Sequence, residues 1–157
     1  MMKKFFIAAL LYFAANSVLH AQAAKSAYVE IGGPGLASIN FDTRFSNRED
    51  GIGGRIGVGG FNVDNVGLLT VPVGLNYLIG KDNRNYFEMG AGFTYVHLSE
   101  NTYHEKETFD GSFGHLTFGY RLQPANGGFT FRAAIVPIFG KGGFVPYYAG
   151  ISFGYKF

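Results

Sequence analysis

Residues 145–157 read VPYYAGISFGYKF, and they decide the fold. The odd positions Val145, Tyr147, Ala149, Ile151, Phe153, Tyr155 and Phe157 are apolar or aromatic. The even positions Pro146, Tyr148, Gly150, Ser152, Gly154 and Lys156 are mostly small or polar. Period-two alternation marks a strand with one greasy face. Gly150 and Gly154 weaken an isolated strand, so the surroundings must require them.

The composition agrees with a sheet. Hydrophobic residues make up 47% of the 157, charged residues only 15%, and there are 24 glycines and 27 Phe and Tyr together. That is too apolar for disorder and too poor in charge for a water-soluble surface. With no cysteine, disulfides, thiolate metal sites and a lipidated N-terminal Cys are excluded. Of 13 basic residues, Lys3 and Lys4 precede the alternating region, leaving 11 basic against 11 acidic. A balance near zero gives no footprint for nucleic acid.

Residues 1–23 read as a secretory signal peptide. Lys3 and Lys4 supply the positive start, residues 5–15 an unbroken apolar run, and Ala21-Gln22-Ala23 a small-x-small cleavage pattern, with the cut after Ala21 or after Ala23. Eleven apolar residues are too few for a helix to span a bilayer. Residues 24–157 are then one barrel domain.

Eight alternating runs follow: 27–33, 36–45, 51–61, 68–79, 85–98, 112–123, 128–139 and 145–157. An even count puts both chain ends on one side of a closed barrel. The first two runs share odd parity from Ala27 to Phe45. That fits one long strand, leaving seven, or a hairpin turning at Gly33-Pro34-Gly35. Pro72 and Pro137 lie inside predicted strands and remove ladder donors, so a bulge or strand end is expected at each.

Alternation does not say which face is outside. The apolar face carries more bulky aromatics than an eight-stranded interior holds. The other face is largely Gly, Ser and Thr. Turned outward, the aromatics face lipid, where only helices and closed barrels satisfy the backbone. The expected fold is therefore an all-β, eight-stranded, antiparallel, up-and-down transmembrane barrel. With the C-terminus periplasmic, short turns at 46–50, 80–84 and 124–127 lie on that side. The breaks at 62–67, 99–111 and 140–144 lie outside. Aromatic girdles are expected at Phe45, Tyr77, Phe87, Phe129, Tyr155 and Phe157 near the periplasm. Phe61, Tyr95, Phe113, Phe139 and Phe144 are expected near the outer interface.

The segments Gly54-Arg55-Ile56-Gly57-Val58-Gly59, Val71-Pro72-Val73-Gly74-Leu75-Asn76-Tyr77, Phe87-Glu88-Met89-Gly90-Ala91-Gly92 and the closing GISFGYKF resemble small outer-membrane β-barrels of Gram-negative bacteria, broadly the OmpA/OmpX/OmpW-like group. The resemblance covers nearly all of residues 24–157. It implies export to the outer membrane and contact with membrane lipid and lipopolysaccharide. It also implies recognition of the closing strand by the barrel-assembly machinery through Ile151, Phe153, Tyr155 and Phe157. Such families include structural barrels, narrow porin-like pores, adhesion factors and a few lipid-modifying enzymes, so it settles place better than activity.

Lumen-facing parity gathers Glu30, Asp42, Arg44, Arg55, Glu88, Arg121, Arg132 and Lys156. They read as a salt-bridge network filling a narrow barrel, since buried charges must be paired. The alternative is a small pore for minor or apolar solutes. An outer-membrane acyl hydrolase would need a nucleophile, a His base and a carboxylate. His115 faces the lumen with Thr117 two residues on and Glu88 as the carboxylate to hand, but a polar lumen histidine is the simpler account. Glu100, His104, Glu105, Glu107 and Asp110 suggest a weak divalent-cation or lipopolysaccharide-bridging loop, against which stands an ordinary solvated loop. The glycines recur at strand spacing and match no nucleotide-binding loop. No cofactor and no catalysis are expected, and a monomer is the default.

Overall fold

A computed structural model describes residues 23–63, 66–102 and 105–157 of the chain. The signal-peptide reading of residues 1–23 falls, up to position 22, outside the described residues, as does His104. Among the described residues ten strands are present: β1 (Lys25–Gly32), β2 (Ala37–Arg44), β3 (Gly51–Val63), β4 (Val66–Ile79), β5 (Asn85–Thr102), β6 (Glu105–Leu122), β7 (Gly128–Ile135), β8 (Ile138–Gly140), β9 (Gly143–Val145) and β10 (Ala149–Lys156). Each pairs antiparallel with its chain neighbour from β1 to β7, and β10 pairs with both β7 and β1. The sheet thus closes on itself, which removes free edges.

Ten strands make eight staves. β7 and β8 pair with β6 in a single register, Phe118↔Ile135 and His115↔Ile138, so they are one stave interrupted at Val136-Pro137. β9 and β10 form the closing stave, but its register slips. Three steps from Ile135 to Ile138 face four steps from Ala149 back to Val145. The break at Val136-Pro137 is the strand end expected at Pro137, and the extra residue opposite it is a bulge in the closing stave. The backbone there is re-paired, with the Val136 amide donating to Tyr148 O at 2.6 Å.

The bulge corrects the reading of residues 145–157 as one unbroken strand. Regular strand covers only Ala149–Lys156, and above the bulge the parity reverses. Phe144, opposite Phe139, faces outward, while Val145, opposite Ile138, faces the barrel interior. Pro72 departs from expectation in the other direction. The β3–β4 ladder skips Gly57 and Val58 opposite Val71 and Pro72, then resumes at Gly59↔Thr70 in the same register. Pro72 lacks a donor but inserts no residue, so it neither bulges nor ends the strand.

Residues 27–45 form a hairpin, with Val29↔Ile39 at its centre. Gly32, Gly33 and Leu36 all adopt positive φ, at 72°, 66° and 64°. This left-handed turn bends the tip into the lumen, where Gly33, Pro34 and Gly35 are buried. The Thr94 and Thr70 hydroxyls donate to Pro34 O at 2.9 Å and Gly35 O at 2.8 Å. The tip therefore crosses the interior to meet β4 and β5.

The staves are unequal. β1, β2 and β10 have eight residues each, whereas β5 and β6 have eighteen and pair as far as Thr102↔Glu105. The expected break at 99–111 is thus mostly strand, a projecting pair of staves joined in register as far as Thr102↔Glu105. Likewise β3 and β4 pair out to Val63↔Val66, shortening the break expected at 62–67.

The core is inverted relative to a soluble protein. Arg121 is 1% exposed and Asp42 0%, while Ile31 is 65% and Ile39 64% exposed. The outer wall carries aromatic contacts such as Phe131–Phe153 at 5.3 Å and Phe41–Phe157 at 6.3 Å between ring centroids. Two residues assigned to the outer girdle turn the other way. Phe113 pairs with Thr94 and Phe61 with Leu68, both on the lumen parity. Counting parity from β6's outward Leu116 and Phe118 assigns Phe113 inward; its aromatic character alone misled.

Candidate functional site

The lumen is layered along the barrel axis. At the end holding the termini, Lys156 Nζ donates to Glu49 Oε1 and Ala125 O, each at 2.6 Å, and to Pro124 O at 3.1 Å. Glu49 comes from the β2–β3 turn and was not among the residues singled out from the sequence. Turn residues have no parity to read, so nothing in the alternation points to it.

Above this layer sits Asp42, fully buried. Its Oδ1 lies 2.8 Å from Arg44 Nη2 and 2.8 Å from Arg121 Nη2, and its Oδ2 lies 3.0 Å from Arg132 Nη2. Asn76 donates to Asp42 and accepts from Arg44, and Ser26 Oγ accepts from Arg121 at 3.2 Å. Glu88 adds contacts at 3.4 Å to Arg132 and 3.8 Å to Arg121. Arg55 makes a two-pronged contact with Glu30, at 2.9 and 3.2 Å, and donates to Asn40 Oδ1 at 2.8 Å. Tyr28 stacks under Arg132, with the guanidinium carbon 4.1 Å from the ring centroid, a cation–π arrangement.

All eight charges assigned to the lumen are buried there. Seven form one cluster, in which Asp42 and Glu88 hold Arg44, Arg121 and Arg132, Glu30 holds Arg55, and the Tyr28 ring lies against both Arg55 and Arg132; Lys156 joins Glu49 instead. In that cluster four arginines face three carboxylates. Several of their nitrogens, including Arg121 Nη1, Arg132 Nε and Arg132 Nη1, lack a hydrogen bond of good geometry. The polar partners Ser26, Tyr28, Asn40 and Asn76 share lumen parity with the charges, and extending the parity rule to neutral side chains finds them.

The next layer is neutral. Thr70, Thr94 and His115 surround the inward-turned hairpin tip, and His115 Nδ1 lies 3.5 Å from Thr94 Oγ1. Glu88, the carboxylate weighed for a hydrolase, is held by the arginines rather than brought to His115. The acidic segment proposed as a cation loop is instead strand, with Glu100 opposite Glu107 and Thr102 opposite Glu105.

The closing-strand residues Ile151, Phe153, Tyr155 and Phe157 all lie exposed on the outer wall. Gly150 and Gly154 alternate with them on the inner face. A Cβ on Gly154 would strike Ala27 O and Tyr28, and one on Gly150 would sit 2.5 Å from the Gly33 amide nitrogen. These glycines let β10 lie against β1 and the hairpin turn.

An inverted, eight-staved closed barrel with a charged interior has the fold of the small β-barrels of bacterial outer membranes. No known family profile and no curated protein matches the chain. Solved structures do share its fold. The N-terminal β-barrel domain of Pseudomonas aeruginosa OprF superposes with a TM-score of 0.63 at 13% identity, covering 86% of this chain and 96% of that one. Ail, the attachment invasion locus protein of Yersinia pestis, solved in complex with the heparin analogue sucrose octasulfate, gives 0.56 at 14% identity, over 87% of this chain and 100% of Ail. The backbone structure of Ail in a phospholipid nanodisc gives 0.55 at 12% identity, covering 88% and 100%.

Proposed function

We propose that this protein is an integral outer-membrane barrel of a Gram-negative bacterium, exported through a cleaved segment at residues 1–23, with a structural or surface-interacting role and no catalysis. The observation that carries the reading is the inversion of the core: an apolar, aromatic outer wall around a lumen of bonded charges. Lipid is the solvent that makes this arrangement stable. The Asp42-centred cluster and the hairpin tip above it fill the bore of a barrel that eight strands already make narrow. The lumen is thus a plug rather than a channel for solutes.

In this reading the closing strand carries the assembly signal, with Ile151, Phe153, Tyr155 and Phe157 presented on its outer face to the barrel-assembly machinery. The β5–β6 hairpin projects on the side opposite the termini, toward lipopolysaccharide and the cell exterior. The barrel works as a monomer. The direct test is membrane fractionation with gel migration before and after heating, followed by planar-bilayer recording. The reading expects an outer-membrane protein whose mobility shifts on heating and which conducts little. A soluble protein without a heat shift sinks the placement, and sustained ohmic conductance sinks the plug.

A further inference from the structure

The topmost lumen layer is apolar. Above the threonine and histidine layer, the inward parity passes to Val96 on β5, Phe113 on β6, Ile138 on β8 and Val145 on β9. Leu36, held at positive φ on the buried hairpin tip, completes the floor. Together they line a cavity of about 640 Å³ that opens at the rim opposite the termini. That volume falls within the ordinary range for small-molecule sites, roughly 300–1,000 Å³. The wall also includes Gly111, Gly140, Gly142 and Gly143, whose missing side chains leave the space. Among the described residues, the only charged one on the lining is Lys141, exposed in the β8–β9 turn.

We infer that this cavity binds a single-chain anionic amphiphile, of the fatty-acid class, with its hydrocarbon body among Val96, Phe113, Ile138 and Val145 and its head group at Lys141. The chemistry follows from the lining. An apolar body with one cation at its mouth complements a hydrocarbon chain ending in one negative charge. A zwitterionic or cationic head finds no carboxylate among the described lining residues, and a polar solute finds few partners in the walls. The floor is closed, because the hairpin tip is bonded to Thr70 and Thr94 below it. A ligand therefore enters and leaves by the rim, and the site is a receptor pocket rather than a segment of a pore. The parity reversal at the bulge matters here, since it turns Val145 inward to complete the wall.

The inference does not depend on whether the lumen conducts. The test uses the chain from residue 24 in lipid nanodiscs, with Ile, Leu and Val methyls labelled for NMR, titrated with dodecanoate carrying a nitroxide on its chain. The expected result is saturable broadening of the Ile138, Val145, Val96 and Leu36 methyls, with outward Ile39 and Ile151 reporting only the weak, unsaturable effect of probe in the bilayer. Lys141→Glu weakens the saturable phase about fivefold, as expected for reversing one exposed charge contact, and leaves nitroxide-labelled dodecanol unaffected. Val96→Trp fills the cavity and removes the saturable phase while the Ile39 and Ile151 signals keep their positions. Equal, unsaturable broadening on both faces overturns the proposal. So does saturable broadening that a nitroxide phospholipid in the disc reproduces, which makes the occupant a bilayer lipid chain. If the chain proves water-soluble, the membrane reading fails, and the same titration in buffer still reads the pocket.

Discussion

Arg121 and Arg132 stand directly opposite one another across the β6–β7 ladder, and both guanidiniums end on the carboxylate of Asp42. Like charges in facing positions oppose sheet pairing. Here the repulsion is turned into a clamp, because Asp42 projects from β2 on the opposite wall and ties it to both strands. Glu88, from β5, touches the same two arginines. The cluster is thus a brace across the bore, and Asp42 is its centre.

Asp42→Asn is expected to destabilise the barrel by about 3–5 kcal/mol, because it leaves three buried guanidiniums without their shared anion. Unfolding in denaturant from lipid vesicles measures it. Adding Arg121→Gln to Asp42→Asn relieves part of the uncompensated charge. The two substitutions together should therefore cost less than their separate effects summed. Strict additivity is the outcome that removes Asp42 as the centre of the brace.

Phe118 tests the outer wall. It is 42% exposed, four residues from the Leu122 end of β6, paired with Met89 and Ile135. Phe118→Arg at the bilayer midplane is expected to cost roughly 2–4 kcal/mol, with Phe118→Leu close to neutral. Measured in vesicles, an arginine as well tolerated as leucine contradicts a lipid-facing position.

The β4–β5 turn supplies a pH-dependent contribution outside the bilayer. The Asn85 side chain, the Asn85 amide and the Arg84 amide all donate to the Asp82 carboxylate, and those bonds hold its pKa below the usual carboxylate range. A depressed folded-state pKa contributes stability above the unfolded pKa and loses it as pH falls through the folded value. Asp82→Ala should therefore lower stability at neutral pH, and the difference from the unsubstituted chain should shrink on acidification. A difference independent of pH assigns the effect to turn geometry alone.

Much of the barrel was legible in the sequence because parity is a strict code wherever one wall meets lipid and the other a packed lumen. The alternation of Phe87, Met89, Ala91, Phe93 and Tyr95 against Glu88, Gly90, Gly92 and Thr94 reads correctly without coordinates. The code fails where backbone pairing changes in a way that residue type does not specify. The bulge at 146–148 inverts the parity of Phe144 and Val145; Pro137 marks a disturbance there but does not say that the facing strand takes the extra residue. Glu49 escaped because a turn has no alternating face. The cavity over the hairpin tip was hidden for a third reason. It depends on β1 and β2 stopping ten residues short of β5 and β6, and strand length is set by pairing across the whole sheet.

Gly154 joins these points at the seam of the barrel. It faces the lumen between Tyr155 and Phe153, opposite Tyr28 on β1 and Thr130 on β7. A methyl group there meets Ala27 O and the Tyr28 side chain at once. Backbone cannot give way as a flexible side chain can, and Tyr28 is itself fixed beneath Arg132. Gly154→Ala is therefore expected to destabilise the closed barrel by about 1–3 kcal/mol, the usual range for overpacking a filled interior. Gly128→Ala makes a sterically open comparison, since a Cβ there meets nothing within 4 Å, although its φ of 110° adds backbone strain of its own. Adding Tyr28→Ala to Gly154→Ala is expected to restore little, because the new methyl meets Ala27 O and the Tyr28 Cβ and Cα, all of which remain when the ring is removed. Heat-modifiable gel mobility after refolding into vesicles reads closure directly. A Gly154→Ala barrel that closes as completely and resists denaturant as well as the parent shows that β1 and β10 can part at no cost, which the seam geometry forbids.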